Sequence, residues 1–526
     1  MHALIEVVAL LLGVLVVAGF ARRFGLPTPL VLILAGVGAS LIPGMPEYEL
    51  EAEFVLVLVL PPLLYSAALN SSLIDFKANL RAIGLLSVGY VLFCTALVGL
   101  VAWALIPGLP PGAAFALGAV VAPADAVAAV AIARRLGLPS RILTILEGES
   151  LVNDATAITA LRVAVAAVVT GGFSWLEAGA RFLWASAGGV VIGLAVAVVI
   201  SAIRRRLDDP VVENALSLVT PFLAFIPAEE LHASGVVSVV LTGLVLGHRS
   251  SHLLTSAARL QTQAVWRMID FALESLVFAL IGLQLRALID ALDAYPVSRL
   301  VLYASAVCAT VVLSRFLWVF PLTYLPRWLS PRVRQRDPAP PWQWVTVISW
   351  AGMRGVVTLA AALSIPVTTN SGEEFPHRDL LVFLAFCVIA VTLIGQGGTL
   401  PWVINHLQVR RDATQDMLAE AEAAHAAATA ALTRLDELLD AEGQLPAGVA
   451  ERLRDKSEQR RLRAWERLGG QDEETPSAAF RRLRLEVLQT ERESLVRMRN
   501  EGRINDEVLR VLQEDLDLEE SLLARS

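Results

Sequence analysis

The chain has 526 residues, of which 56% are hydrophobic and only 18% charged, with a formal net charge of −7 and a mean hydropathy of +0.61. A water-soluble protein of this size needs more charge to cover its surface, so the composition excludes a purely soluble enzyme and defines a helical, polytopic membrane protein. Nucleic acid is not expected as a partner; the lipid bilayer is.

The apolar excess fills residues 1 to about 407 and stops there. Runs long enough to span a bilayer can be placed thirteen times, at about 3–20, 28–43, 52–69, 83–106, 112–133, 143–169, 177–202, 212–228, 233–247, 263–285, 299–323, 343–365 and 380–404. The first run has no basic region before it and reads as a retained helix, not a cleaved signal. Alternate loops carry Arg22/Arg23, Lys77/Arg81, Arg134/Arg135/Arg141, Arg204/Arg205/Arg206, Arg249/Arg259, Arg327/Arg332/Arg334/Arg336 and Arg410/Arg411. The loops between them, such as PGMPEYELEAE, PGLPPG and TGGFSW, are neutral or acidic, with Arg286, Arg299 and Arg378 as exceptions. By the positive-inside rule the basic loops are cytoplasmic, which puts the N-terminus outside and the C-terminus inside.

Thirteen spans suit two inverted six-helix repeats joined by a seventh helix, an all-α architecture in which the fifth span corresponds to the twelfth. Both are interrupted near mid-span, by Pro123 in VVAPADAVA and by Gly352 and Gly355 in SWAGMRGVV. Paired interruptions in matching positions point to a substrate site between broken helices. A plain proline kink and a glycine packing contact are the bland alternatives.

The sixth span carries LEGESLVNDATAI. Glu149 and Asn153 are four apart, as are Ser150 and Asp154, so one helix presents four polar side chains as a stripe. Ionisable groups at bilayer depth are costly and face a cavity or an ion path. Asp154 and Ser150, facing Asp125 on the broken fifth span, would supply oxygen ligands to a small monovalent cation such as Na+, with freed backbone carbonyls supplying others. A carboxylate there can be neutralised by a cation or by a proton. That competition, with alternating access, is sufficient for antiport. Glu149 lies about 100° around the helix from Ser150, and an unpaired buried carboxylate is expensive. Arg315, deep in the eleventh span, is its expected partner, and Arg354 is expected beside the broken twelfth span, balancing charge. For either arginine the alternative is snorkelling to an interface. Asp270 and Glu274, four apart on the tenth span, read equally as a funnel lining or as a polar helix start.

Cys94, Cys308 and Cys387 each lie in an apolar run and read as packed thiols. The seven histidines show no ligand spacing. No cofactor is expected, and the absence of a G-x-x-x-x-G-K-S/T pattern argues against an ATP-driven pump. From about residue 408 the composition turns charged. DMLAEAEAAHAAATAALTRLDELLDAEG and later segments, broken by GQLPAG and GGQDEETPSAA, read as a cytoplasmic helical tail over 408–526, either a solvated appendage or a regulatory module with its own partner.

PADAVAAVAIARRLGLPSRI, LEGESLVNDATAI and AGMRGVVTLAAALSIP together resemble the sodium/proton antiporters of the cation/proton antiporter-1 family, over essentially all of residues 1–407. The tail resembles that of a bacterial subgroup. The resemblance implies a homodimer with a dimerisation domain and a mobile core domain. It implies that Asp154 is the cation and proton carboxylate, that Ser150 and the backbone near Ala124 help coordinate the ion, and that Asp125 opposes them. It also implies that Glu149 and Arg315 form a structural ion pair, that Arg354 is the family's arginine of the twelfth helix, and that the Asn153-Asp154 pair goes with electroneutral exchange. Ala124 stands where many relatives have threonine, and PPLLYSAALN, with Ser66, where several carry a glutamate; both departures remove candidate ligands that bear on Na+ against K+ selectivity. The expected activity is thus plasma-membrane Na+/H+ antiport, not enzymatic catalysis, for pH and sodium homeostasis. The alternatives are K+/H+ or mixed monovalent exchange, a cation channel, and a membrane sensor or scaffold working through its tail.

Overall fold

The computed structural model describes residues 2–42, 52–170, 174–207, 209–290, 292, 295–370, 372–410, 413–442, 448–466 and 475–525. Most of PGMPEYELEAE and half of TGGFSW lie outside the described residues, as do Arg411 and most of GQLPAG and of GGQDEETPSAA. The described chain is helical throughout, with one isolated antiparallel bridge, Thr368 to Glu374. It divides into two compact units, Met1–Arg411 and Asp412–Ser526.

The first unit opens with α1 (His2–Arg23), α2 (Thr28–Ser40) and α3 (Leu60–Asn70), the last entered through a π-helical stretch, Phe54–Val59. A second π-helical stretch, Leu85–Tyr90, leads into α4 (Val91–Leu105). Next come α5 (Pro111–Val121), α6 (Ala126–Arg135), α7 (Ser140–Thr170) and α8 (Trp175–Arg204). They are followed by α9 (Pro210–Glu230), α10 (Gly235–Leu253), α11 (Ser256–Leu283) and α12 (Val297–Leu329). The unit closes with α13 (Trp342–Trp350), α14 (Val356–Leu363), α15 (Arg378–Val391) and α16 (Gly398–His406).

Helix starts follow from local chemistry. Asp209, Ser234 and Thr255 each accept a backbone N–H two or three residues on, satisfying a donor that the first turn leaves free. Pro210 adds a pre-set φ at the first position of α9. Helices approach closely where glycines face each other: a Cβ on Gly36 of α2 would lie 2.5 Å from the Ala279 carbonyl and 2.9 Å from Gly282 of α11. Only a missing side chain permits that contact.

Eight helices among the described residues are long and apolar enough to cross a membrane, and Thr28–Ser40 and Phe54–Asn70 are shorter apolar helices. Each of the thirteen sequence spans coincides with helical structure. Of the three spans outside those ten, the twelfth is split into α13 and α14, the ninth, α10, carries the polar HRSSH in its last turns, and the first is α1. Large apolar side chains such as Leu183, Val191 and Val198 on α8, and Val301, Leu313 and Leu317 on α12, are exposed, as lipid-facing positions require.

The second unit contains α17 (Ala413–Glu442), α18 (Val449–Glu466), α19 (Pro476–Asn500) and α20 (Asp506–Arg525). Arg454 of α18 bonds Asp436 of α17 at 2.7 Å. Arg484 of α19 grips Glu519 of α20, and Arg492 reaches Asp517 and Glu520, around the buried Leu488.

Candidate functional site: the crossing of two broken helices

Two segments lose their helix at mid-unit. Pro123 has no N–H to give to the preceding turn, and the chain runs non-helically from α5 to α6. Asp125 caps α6, its Oδ1 accepting the Val127 N–H at 2.9 Å. On the second segment, Ala351 to Gly355 separate α13 from α14. The two breaks touch: the Asp125 N–H donates to the Met353 carbonyl at 2.8 Å.

Four half-helix ends meet here, and each pair faces the opposite charge. The Asp125 carboxylate accepts the N–H of Val127 and lies against Gly355, the residue that precedes α14, so it sits at the N-termini of α6 and α14. A Cβ on Gly355 would lie 1.7 Å from Asp125 Oδ2, so only glycine leaves room for that carboxylate. The buried Arg354 guanidinium serves the other ends, donating to the Val121 carbonyl that closes α5 (2.6 Å) and to the Gly352 carbonyl beyond α13 (2.9 Å). It also donates to Tyr90 Oη at 2.8 Å, while its backbone N–H reaches Thr392 Oγ1. Anions favour helix N-termini and cations favour C-termini, so the arrangement stabilises both breaks. Arg354 thus answers helix-end carbonyls.

The polar stripe of α7 lies against this crossing. Asn153 Nδ2 donates to the Ala124 carbonyl at 2.6 Å, and Ser150 Oγ accepts the Ala126 N–H at 3.3 Å. Asp154 is 5% exposed. Asp125, Ser150 and Asp154 line one cavity of about 310 Å³. Ala124 and Asn153 bond to each other, and Asn153 Oδ1 is buried without a partner among the described residues.

Glu149 and Arg315 form a buried bidentate pair, with Nη1 to Oε1 at 2.5 Å and Nη2 to Oε2 at 2.7 Å. Arg315 Nε also donates to the Ile348 carbonyl of α13 at 3.0 Å. Tyr90 lies between the two arginines, its ring centre 5.3 Å from the Arg315 guanidinium and 5.8 Å from that of Arg354. One charge pair therefore links α7, α12 and α13.

The same cavity holds groups to which the sequence pointed only weakly: Ser66 of α3, and Asp270 and Glu274 of α11. Ser66 Oγ donates to Asp270 Oδ2 at 2.6 Å. The four-residue spacing of Asp270 and Glu274 was the available signal. Which face of α11 meets α3 is a matter of tertiary packing, invisible in the spacing.

This combination, buried carboxylates at the crossing of two broken helices in an apolar helical unit, defines the class of secondary transporters for small ions. Residues 7–406 match the family model for the transmembrane sodium/hydrogen exchanger, and the chain belongs to that family. It is 37% identical to an uncharacterized Na+/H+ exchanger of Mycobacterium tuberculosis, over 98% of this chain and 95% of that one. It is 35% identical to a sodium, potassium, lithium and rubidium/H+ antiporter of Bacillus subtilis, over 75% of this chain and 60% of that protein. The fold is similar to that of the sodium proton antiporter MjNhaP1 of Methanocaldococcus jannaschii, with a TM-score of 0.60 at 16% identity, covering 77% of this chain and 99% of that one.

Proposed function

We propose that this chain exchanges Na+ for H+ across the plasma membrane, one for one, through the single site formed by Asp154, Ser150 and Asp125. The observation that carries the reading is Asp154, which is almost fully buried, lines a cavity at the helix crossing and stands beside the opposing Asp125. A buried carboxylate in such a place is stable when neutralised by a cation or by a proton, and either form can be carried as the site turns from one side to the other. Asn153 holds the Ala124 carbonyl with an uncharged amide, which leaves one carboxylate on this stretch of α7 to alternate between the two cargoes. That supports electroneutral exchange.

In this reading residues 1–407 are the transport domain, working as a homodimer with the N-terminus outside, and 408–526 form a cytoplasmic tail that modulates it. The basic loops support the orientation. The Glu149–Arg315 pair fixes α7 against α12 and keeps the stripe in register. The breadth of ions in the name of the Bacillus subtilis relative supports a second reading, in which K+ and Li+ share the site.

The test is cation-driven pH change in sealed proteoliposomes with Na+, Li+ and K+, for the parent and for Asp154→Asn. Dissipation of the pH gradient by Na+ that vanishes in the variant is expected. Response to K+ alone would replace the ion and keep the mechanism. A variant that transports as well as the parent would remove Asp154 from the site.

A further inference from the structure

A second cavity, of about 560 Å³, adjoins the one that holds Asp154. The two share Asp270 and Glu274 in their walls, whereas Asp125, Ser150 and Asp154 line only the first. Four arginines, Arg22, Arg134, Arg135 and Arg267, line the second cavity. Three of them are engaged: Arg22 lies 4.0 Å over the Phe271 ring, Arg134 pairs with Glu147 at 2.6 Å, and Arg135 donates to the Gly25 carbonyl at 2.7 Å. The α11 carboxylates thus stand in the wall common to the two cavities.

Asp270 is held in place there. Ser66 Oγ donates to its Oδ2 at 2.6 Å and fixes the carboxylate across the gap between α3 and α11, while Oδ1, closed off from solvent, has no partner among the described residues. Glu274 stands one turn on, on the same face of α11. At the far end Asp154, 5% exposed, faces the same cavity.

Resting on the exchanger reading above, we propose that Asp270, oriented by Ser66, is a staging and specificity-determining residue: it takes the partly dehydrated monovalent cation in the cavity before transfer to Asp154. An oriented carboxylate in the cavity wall replaces part of the hydration shell and raises the local cation concentration. It carries no proton of the exchange, so it changes the concentration at which the cation saturates transport and leaves the turnover of the loaded site alone.

The experiment measures exchange rate against Na+ concentration in proteoliposomes for the parent, Asp270→Asn, Asp270→Glu and Ser66→Ala. Asp270→Asn is expected to raise the half-saturating Na+ concentration by about tenfold, the effect of removing one partly buried charge, with the rate at saturation kept. Asp270→Glu restores most of the affinity, and Ser66→Ala, which keeps the charge but frees it, falls between. Unchanged half-saturation in both Asp270→Asn and Ser66→Ala, with the parent active, overturns this inference alone. So does loss of exchange at every Na+ concentration in both Asp270 variants, because a staging group is not obligatory. A parent chain that exchanges no cation overturns the exchanger reading and this inference together.

Discussion

At the scale of single residues, the Glu149–Arg315 pair shows how a charge in an apolar unit is tolerated. Two parallel hydrogen bonds and a third to the Ile348 carbonyl satisfy the guanidinium. Removing one partner leaves the other buried and alone, at a cost of about 3–5 kcal/mol. Arg315→Leu is therefore expected to lower the melting temperature of the purified chain strongly, and Glu149→Leu added to it to recover part of the loss. The exposed Arg162–Glu229 pair provides the contrast. Arg162→Ala is expected to change stability by less than about 1 kcal/mol; an equal drop in the two cases would remove the argument from burial. Gly355 makes a different prediction. Any side chain at that position displaces the Asp125 carboxylate from the two helix N-termini it faces. Gly355→Ala should abolish exchange while the protein still reaches the membrane, and a fully active variant would show that Asp125 need not sit where it does.

Among the elements, the broken segments are stable because their ends find opposite charge, and the paired tail helices use the same physics in water. Hydrogen bonds from Arg484 hold the Glu519 carboxyl below its ordinary value of 4.5, outweighing slight burial. A depressed carboxyl contributes stability that is fully present above its unfolded pKa and lost as pH falls through the folded one. Hydrogen exchange of 476–525 in the full chain is thus expected to be independent of pH, once intrinsic rates are corrected, from 7 down to about 5, and to accelerate below about 4. Arg484→Ala should flatten that acid limb; persistence of the limb in the variant would assign it to other carboxylates. Elements of this kind were largely legible in the sequence. Apolar length marked the spans, Pro123 and the Gly352/Gly355 pair marked the breaks, and the spacing of Glu149, Ser150, Asn153 and Asp154 marked the stripe. The bond from Asn153 to the Ala124 carbonyl and the bond from Ser66 to Asp270 were not legible. Each joins segments that approach only after helices have packed, and the partner in one case is a backbone group with no side-chain signature.

Taken as a whole molecule, the apolar unit gathers buried carboxylates in a cavity at the helix crossing and sets a second cavity beside it, with Asp125 and Arg354 facing the ends of the helices that cross there. Membership of the sodium/hydrogen exchanger family agrees with that construction. The central claim is that one carboxylate, Asp154, is used in turn by a cation and by a proton. The most direct measurement is the half-saturating Na+ concentration for exchange, followed across pH in proteoliposomes with equal pH on both sides. Competition for one group predicts that it rises about tenfold for each unit of pH below the pKa of the site, while the rate at saturating Na+ stays level. A half-saturating concentration that does not move with pH, while the maximal rate falls, would mean that the proton and the cation use separate groups, and would contradict the account.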